Sequence, residues 1–373
     1  MRWIFFTTII ALYAGANIYL FIRGLHSLPA GLWRIVFSGV FIILALAFFS
    51  GMIFSEAFPV RVTSVIQHAG GMWLISLIYF IPIVLIIDIV RLINKIFPFF
   101  PSFLTLNPQL TKIGTFGFVV GLVAIIMVYG IINFNHPSIK TLDIKTSKRL
   151  RDVPKIVVAS DLHLGYTLGR KKLDDFINLI NSQKPEIVLL CGDIFDRSVR
   201  PIEQWNMIEE LRKIHAPLGV YAVPGNHEYF GDQEKVFDLW KQAGFVVLRD
   251  SVAQPTDDIY IVGRDDRTNQ RRKSLSQIMS NIDHSRLIIL LDHQPFHLEE
   301  AMEAGVDFQF SGHTHDGQVW PVGLIANRIY EKSYGYFKKG DTQYYITSGL
   351  GLWGPHLRIG TNSEIVVVDN YSN

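Results

Sequence analysis

Five short fragments hold the residues that could do chemistry: DLH at 161–163, GDIFD at 192–196, GNHE at 225–228, DH at 292–293 and GHTH at 312–315. They supply aspartate, histidine and asparagine and no cysteine, a donor set suited to borderline or harder divalent metals such as Mn, Fe, Zn or Co. In an extended segment residues two apart point the same way, so Asp161 with His163, and His313 with His315, can each present two ligands to one pocket. Asp161, His163, Asp193, Asn226, His293, His313 and His315 make seven candidate ligands. That exceeds what one tetrahedral ion needs, and Asp193 has two oxygens able to bridge, so two ions are the natural count. Two cations about 3.5 to 4 Å apart clamp a phosphoryl oxygen, lower the pKa of a bound water and stabilise charge on the attacking and leaving oxygens. The chemistry this set allows is phosphoester hydrolysis. Any one fragment also has a bland reading, because DxH and GDxxD recur by chance and an isolated histidine is more often a surface or satisfied core residue.

The elements that must position these residues are legible around them. KIVVAS (155–160), EIVLLCG (186–192), GVYAVPG (219–225), IYIVGR (259–264), LIILLD (287–292), DFQFSG (307–312), YYITSG (344–349) and EIVVVD (364–369) read as strands. Between them LDDFINLINSQ, IEQWNMIEELRKIH, QEKVFDLWKQAG and HLEEAMEAG space apolar residues three or four apart, as helices do. Near-continuous apolar strands separated by amphipathic helices imply sheets covered by helices, an α/β class with some antiparallel late strands. In open α/β sheets, reactive groups gather at the carboxyl ends of strands. Here the ends of five strands carry them.

Taken in order, DLH, GDIFD, GNHE, DH and GHTH resemble the calcineurin-like metallophosphoesterase superfamily, and within it the bacterial membrane-associated branch of YkuE type, over roughly Lys155 to Asp369. The resemblance implies a four-layer αββα sandwich. It implies one metal held by Asp161, His163, Asp193 and His315 and a second held by Asp193, Asn226, His293 and His313, with manganese favoured and Asn226 also touching substrate. His227 is then no ligand but the proton donor to the leaving oxygen, or the stabiliser of the transition state, and Asp196 orients it and raises its pKa. Arg197 matches an arginine that grips phosphate in phosphoprotein phosphatase relatives, a task its fork suits, with simple surface exposure as the equal alternative. Asp316 stands where many relatives have glycine, which leaves the ligands intact and alters access to the rim. Residues Arg264, Asp265, Asp266 and Arg267 follow another strand end and could reach a substrate, with a solvated turn the favoured reading, and Cys191 reads as a small buried residue.

The first third of the chain has a different character. Nine charged side chains occur through position 135, against 59 in the 238 residues that follow, so only the later part has the composition of a water-soluble domain. Runs 3–22, 35–54 and 113–134 carry no charge, and a fourth over 72–93 is interrupted by Pro82, where a kink is expected. Each run can cross a hydrocarbon core of about 30 Å at about 1.5 Å per residue. The chain is therefore read as a transmembrane region of four helices over 1–135, a linker over 136–154 and the metallophosphoesterase domain over 155–373. The first run is longer than the apolar core of a signal peptide and lacks a small-residue cleavage site, so it is expected to be retained. The Phe- and Pro-rich stretch 96–110 belongs at the bilayer surface, and Asp88 is expected to pair at the interface beside Arg91.

Four crossings put the amino terminus and the polar domain on one side. Arg23, Arg34, Arg91, Lys95 and Lys112 lie in the loops facing away from that domain, against Arg2 and Arg61 on its own side, so the positive-inside count predicts a multi-pass cell-membrane protein with an extracytoplasmic catalytic domain. Lys140, Lys145, Lys148, Arg149 and Arg151 count the other way.

The expected function is an integral-membrane, dinuclear-metal phosphohydrolase. It would cleave a phosphoester or pyrophosphate bond by attack of metal-bound hydroxide, on a phosphorylated small molecule or a lipid-linked substrate, in contact with membrane lipids. The alternative is a non-catalytic membrane sensor or scaffold binding phosphorylated ligands, against which the intact His227 and Asp196 count. Transport has little support from helices with one acidic residue and no evident repeat. A net charge of +2, with an acidic excess after position 135, excludes the basic surplus of a nucleic-acid binder, and no protein partner is predicted.

Overall fold

Uninterrupted apolar sequence satisfies its backbone best as helix, and the computed structural model, which describes residues 2–151 and 153–372, has four long ones in its first part: Arg2–Ser27, Leu32–Ile53, Val60–Ile96 and Pro108–Phe134. All four are long and apolar enough to cross a membrane. Their inner stripes pack around Leu20, Phe41 and Leu77, whereas Leu12, Ile43 and Ile125 remain about two-thirds exposed. Outward faces of that kind suit lipid better than water. The third helix begins twelve residues before the expected run and continues through Pro82 over 37 residues, because the polar VRVTSVIQHAGG segment joins it. The aromatic stretch contains a short helix, Ser102–Leu106, and leaves Phe97, Phe99 and Phe103 exposed. Asp88 does not take Arg91 as its partner. The first helix brings Arg23 Nε to 2.7 Å and the donating Tyr19 hydroxyl to 2.6 Å, so packing between helices decides the pairing over the neighbour one turn away.

The chain divides into two compact units, Met1–Gly130 and Ile131–Asn373. In the second unit twelve strands follow: β1 (Ser138–Lys145), β2 (Ile156–Ala159), β3 (Ile187–Cys191), β4 (Val220–Val223), β5 (Val246–Val247), β6 (Ser251–Thr256), β7 (Ile259–Gly263), β8 (Leu287–Leu291), β9 (Phe308–Ser311), β10 (Gly335–Lys339), β11 (Thr342–Ile346) and β12 (Glu364–Ser372). They form two six-stranded sheets, ordered β1-β12-β2-β3-β4-β5 and β10-β11-β9-β8-β7-β6. All eight expected strands are present. The stretch expected as a linker contains β1, which pairs with β12 along its whole length; its alternation, with Ile144 fully buried, is that of an edge strand with one face inward.

Three apolar cores explain the layering. One lies between the sheets, where Ile156, Val158, Ile187 and Leu189 meet Ile259, Ile289, Phe308 and Phe310. A second covers the outer face of the first sheet, where Val157, Val188 and Leu190 meet Phe176 of helix Arg170–Ser182 and Trp240 of helix Gln233–Gln242. The third sets Ile288 and Leu290 against Leu275 and Leu298 on the outer face of the second sheet. The result is an αββα sandwich. Where one helix was expected over 202–215 there are two short ones, Arg200–Gln204 and Met207–Leu211, because Asn206 adopts a left-handed conformation (φ 50°) that no helix continues through.

Parallel register levels the strand ends. Ala159 pairs with Leu190, Cys191 with Val223 and Leu291 with Phe310, so the loops carrying the five fragments leave both sheets together.

Candidate metal centre

The ligand-type side chains converge at those strand ends. His163 Nε2 and His315 Nε2 face each other at 3.1 Å, and Asp161 Oδ1 lies 3.8 Å from the first and 3.5 Å from the second. His163 Nε2 is also 3.7 Å from Asp193 Oδ2, which in turn is 3.1 Å from His293 Nε2. Asp161, His163 and His315 form one group able to hold an ion, and Asp193, His293 and His313 another; Asp193 also groups with His163 and His227. Asn226 directly follows Gly225, on which an added Cβ would collide with Asp193, and its Oδ1 is buried without a hydrogen bond.

The extended conformation expected of the paired ligands is absent. Asp161 (φ 57°), His163 (φ 45°), Asp193 (φ 50°), His313 (φ 71°) and His315 (φ 51°) all lie in the left-handed region. Each costs roughly 1–3 kcal/mol for a residue other than glycine and persists only where the surroundings over-determine it. Convergence is therefore produced by tight turns at the strand ends rather than by strand alternation. The motif glycines belong to the same crowding: at Gly192 (φ 84°) a Cβ would lie 2.6 Å from His293 Cγ, and at Gly225 it would lie 2.7 Å from Asp193 N.

Electrostatics and hydrogen bonding fit divalent cations. His293 Nδ1 donates to the Cys191 carbonyl at 2.7 Å, which leaves Nε2 buried and facing the cluster with no aligned hydrogen bond. Burial would lower this histidine, but Asp193 and Asp161 outweigh it and raise its pKa, so a cation bound at Nε2 takes the place of a proton. Burial, reinforced by neighbouring histidines, lowers His313 to about 3 and holds His315 well below the ordinary value, so both are neutral imidazoles able to ligate. Burial raises Asp161 against the pull of His293. On Asp193 burial acts the same way, but His293, His227 and His163 outweigh it and keep the carboxylate ionised. Buried carboxylates ringed by lone pairs are what a pair of hard cations compensates.

His227 and Asp196 are joined, Nδ1 to Oδ1, at 2.7 Å. Burial alone would lower His227, but Asp193 and the Asp196 contact outweigh it and raise its pKa; Asp196, which burial would raise, is held well below the usual carboxylate range by His163 and His227. His227 Nε2 lies 4.0 Å from Asp193 Oδ2, at the edge of the cluster. Arg197 is exposed, its guanidinium 5.1 Å from the Phe230 ring, which itself packs 4.8 Å from His227. It stands at the rim, one ring away from the histidine. Asp316 (φ 51°) follows His315 and is half-buried.

Two buried groups were not singled out in the sequence. Glu228 is 1% exposed and accepts the backbone N–H groups of Asp193 (3.0 Å), Phe195 (3.0 Å) and Gly225 (2.7 Å), tying the loop after β3 to the loop after β4. Burial and Asp193 raise its pKa against the pull of the Gly225 and Phe195 N–H groups. Arg358 is fully buried and donates to the carbonyls of His315 (3.1 Å), Ser348 (2.6 Å) and Gly351 (2.7 Å), fixing the His315 turn from below. Glu228 ends a motif and was in view; Arg358 lies 43 residues from His315 and gives no local signal. The Arg264–Arg267 turn is not solvated as expected. Arg264, Asp265 and Asp266 are buried, with Arg264 Nη1 3.2 Å from Asp292 Oδ2 and Asp266 accepting from Gln294, because the turn tucks under the end of β8. Cys191 is fully buried, as read from the sequence.

Comparison with known proteins agrees with this geometry. Residues 154–317 match the family model described as calcineurin-like phosphoesterase. An uncharacterised metallophosphoesterase of Aquifex aeolicus is 32% identical over 221 residues, covering 57% of this chain and 84% of that protein. The uncharacterised metallophosphoesterase YkuE of Bacillus subtilis is 32% identical over 223 residues, 57% of this chain and 77% of its own length. A Danio rerio protein named transmembrane protein with metallophosphoesterase domain is 31% identical over 263 residues, 65% of this chain and 59% of its own length. With the fragments in order, the ligand-type side chains converging and this similarity, the chain belongs to the calcineurin-like phosphoesterase family and is a metal-dependent phosphoesterase.

Proposed function

We propose that the chain is a membrane-embedded phosphohydrolase with a dinuclear centre, acting on a phosphoester or pyrophosphate of an amphiphilic, lipid-linked substrate. The observation that carries the reading is the convergence of Asp161, His163 and His315 in one group able to hold an ion and of Asp193, His293 and His313 in another, with Asp193 Oδ2 3.7 Å from His163 Nε2. We assign the first three with Asp193 to one ion and the last two with Asp193 and Asn226 to the second, with manganese the favoured metal. Bound divalent ions supply the Lewis acidity that activates water and neutralises charge on phosphoryl oxygens. His227, its Nδ1–H donated to Asp196 at 2.7 Å, holds a second proton at Nε2 and delivers it to the leaving oxygen. Arg197 at the rim and Asn226 contact the phosphoryl group.

Two features support an amphiphilic substrate. The four apolar helices suit a bilayer, and the relative from Danio rerio carries a transmembrane description. Just beyond the GHTH turn, Trp320, Leu324, Ile325 and Ile329 are each about 60% exposed, an apolar ridge beside the centre. We place the catalytic unit, 155–373, on the extracytoplasmic side, as the basic residues of the short loops favour.

The test is hydrolysis of aryl phosphate mono- and diesters and of anionic phospholipids by the full chain in detergent, with manganese content measured. His227→Ala is expected to lower kcat by about 10²–10⁴-fold with metal content unchanged. A metal-loaded wild-type protein inert towards every substrate class sinks the hydrolase reading; undiminished turnover in His227→Ala removes the assigned proton donor.

A further inference from the structure

A cleft of about 640 Å³ opens within the helical unit, with every lining residue between Leu20 and Val120. Its depth is aromatic: Phe41 packs edge-on against Trp73 at 4.9 Å and Phe37 against Phe116 at 5.8 Å. Its cations come one from each long helix, Arg23, Arg34, Arg91 and Lys112, with Asp88 the sole carboxylate in the lining. Asp88 is taken by Arg23, and Arg34 Nε donates to the Leu28 carbonyl. Among the described residues Arg91 and Lys112 have no carboxylate within ion-pair distance.

We propose that this cleft binds an anionic phospholipid, with the phosphate-bearing head among the four cations and the start of an acyl chain against the aromatic depth. The inference rests on the membrane reading above but not on the hydrolytic one, since the site lies wholly within the helical unit. Gathering four cations with one carboxylate at an apolar cleft is unfavourable unless an anion completes it, and guanidinium groups match phosphate oxygens in pairs. A free phosphate leaves the aromatic depth uncovered, and a zwitterionic lipid brings its own cation to the basic rim. Basic pockets between membrane helices recognise anionic headgroups by this combination.

The test titrates the full chain in neutral detergent with phosphatidylglycerol or phosphatidylcholine and reads bound lipid by native mass spectrometry, with inorganic phosphate as competitor. Phosphatidylglycerol is expected to bind about tenfold or more tighter than phosphatidylcholine, and R91Q/K112Q to lose about tenfold or more of that affinity. R61Q/K95Q, the same charge change outside the cleft, leaves binding unchanged. Thr115→Trp, which fills the cleft without altering charge, also lowers it. Equal binding of the two lipids, wild-type affinity in R91Q/K112Q or in Thr115→Trp, or displacement by inorganic phosphate overturns the proposal. Turnover of a soluble aryl phosphate stays at the wild-type level in R91Q/K112Q, so failure of the cleft and failure of the hydrolase are separate results.

Discussion

Glu228 commits both carboxylate oxygens to the backbone N–H groups of Asp193, Phe195 and Gly225. In Glu228→Gln one oxygen becomes an amide that meets an N–H as donor against donor, so at least one buried group loses its partner, a cost of about 1–3 kcal/mol. The loop carrying Asp193 loosens with it, and manganese affinity is expected to fall by roughly 10–100-fold, as for other groups that orient ligands. Calorimetric manganese titration and thermal melting of the full-length variant check this; unchanged affinity and melting would make the clamp dispensable. The ligand types themselves were legible in the five fragments because metal chemistry restricts donor identity. Their backbone was not. Left-handed turns at Asp161, His163, His313 and His315 leave no trace in an aspartate or histidine, so the pairs were inferred from an extended conformation that the folded chain does not have. Arg358 was illegible for another reason: an arginine among loop residues reads as solvated, and only the folded chain shows the cage of carbonyls around it.

At the level of elements, the strands that carry the site are central and fully buried, as β3 and β8 are along their whole length, and they read plainly as continuous apolar runs. The strands missed lie at edges or are very short. The outer strands β1 and β10 alternate between half-buried and exposed over most of their length, β6 holds a proline, and β5 has two residues, patterns that polar loops also produce. The helix Gly323–Ile329 is informative because its exposed face is apolar: Leu324 and Ile325 are each 60% exposed, and Trp320 beside them is 62% exposed. On the lipid-linked reading this face meets the acyl part of the substrate. Replacing Leu324 and Ile325 together by serine removes apolar contact otherwise worth about 1.5–3 kcal/mol per side chain. The expected result is a drop of about tenfold or more in kcat/KM for long-chain phosphate esters, with soluble aryl phosphates unaffected. Equal losses on long and short substrates in parallel steady-state assays would dismiss the ridge as a contact surface.

For the whole molecule, the proposed centre predicts that metal and folding are coupled in the unit Ile131–Asn373. Asp161, Asp193 and His293 are essentially excluded from solvent, and Asp193 adds to the burial that raises Asp161. The proposed ligands come from the loops after β2, β3, β4, β8 and β9, so an ion they hold closes contacts between segments as far apart as 161 and 315. Any ion that binds only the folded state adds about 2.7 kcal/mol at a hundred times its Kd. In a unit of this size that corresponds to roughly 5–10 °C in melting temperature for each ion. EDTA treatment of the full chain in detergent should therefore lower the melting transition of the α/β unit by roughly 5–10 °C for each ion released while the helical signal persists, and manganese should restore it. His313→Ala, which removes a ligand proposed for one ion only, should retain part of the metal-dependent rise, whereas Asp193→Asn, at the shared position, should lose most of it. A melting temperature indifferent to EDTA, with metal loss verified by elemental analysis, would mean that the cluster does not hold ions in the folded protein.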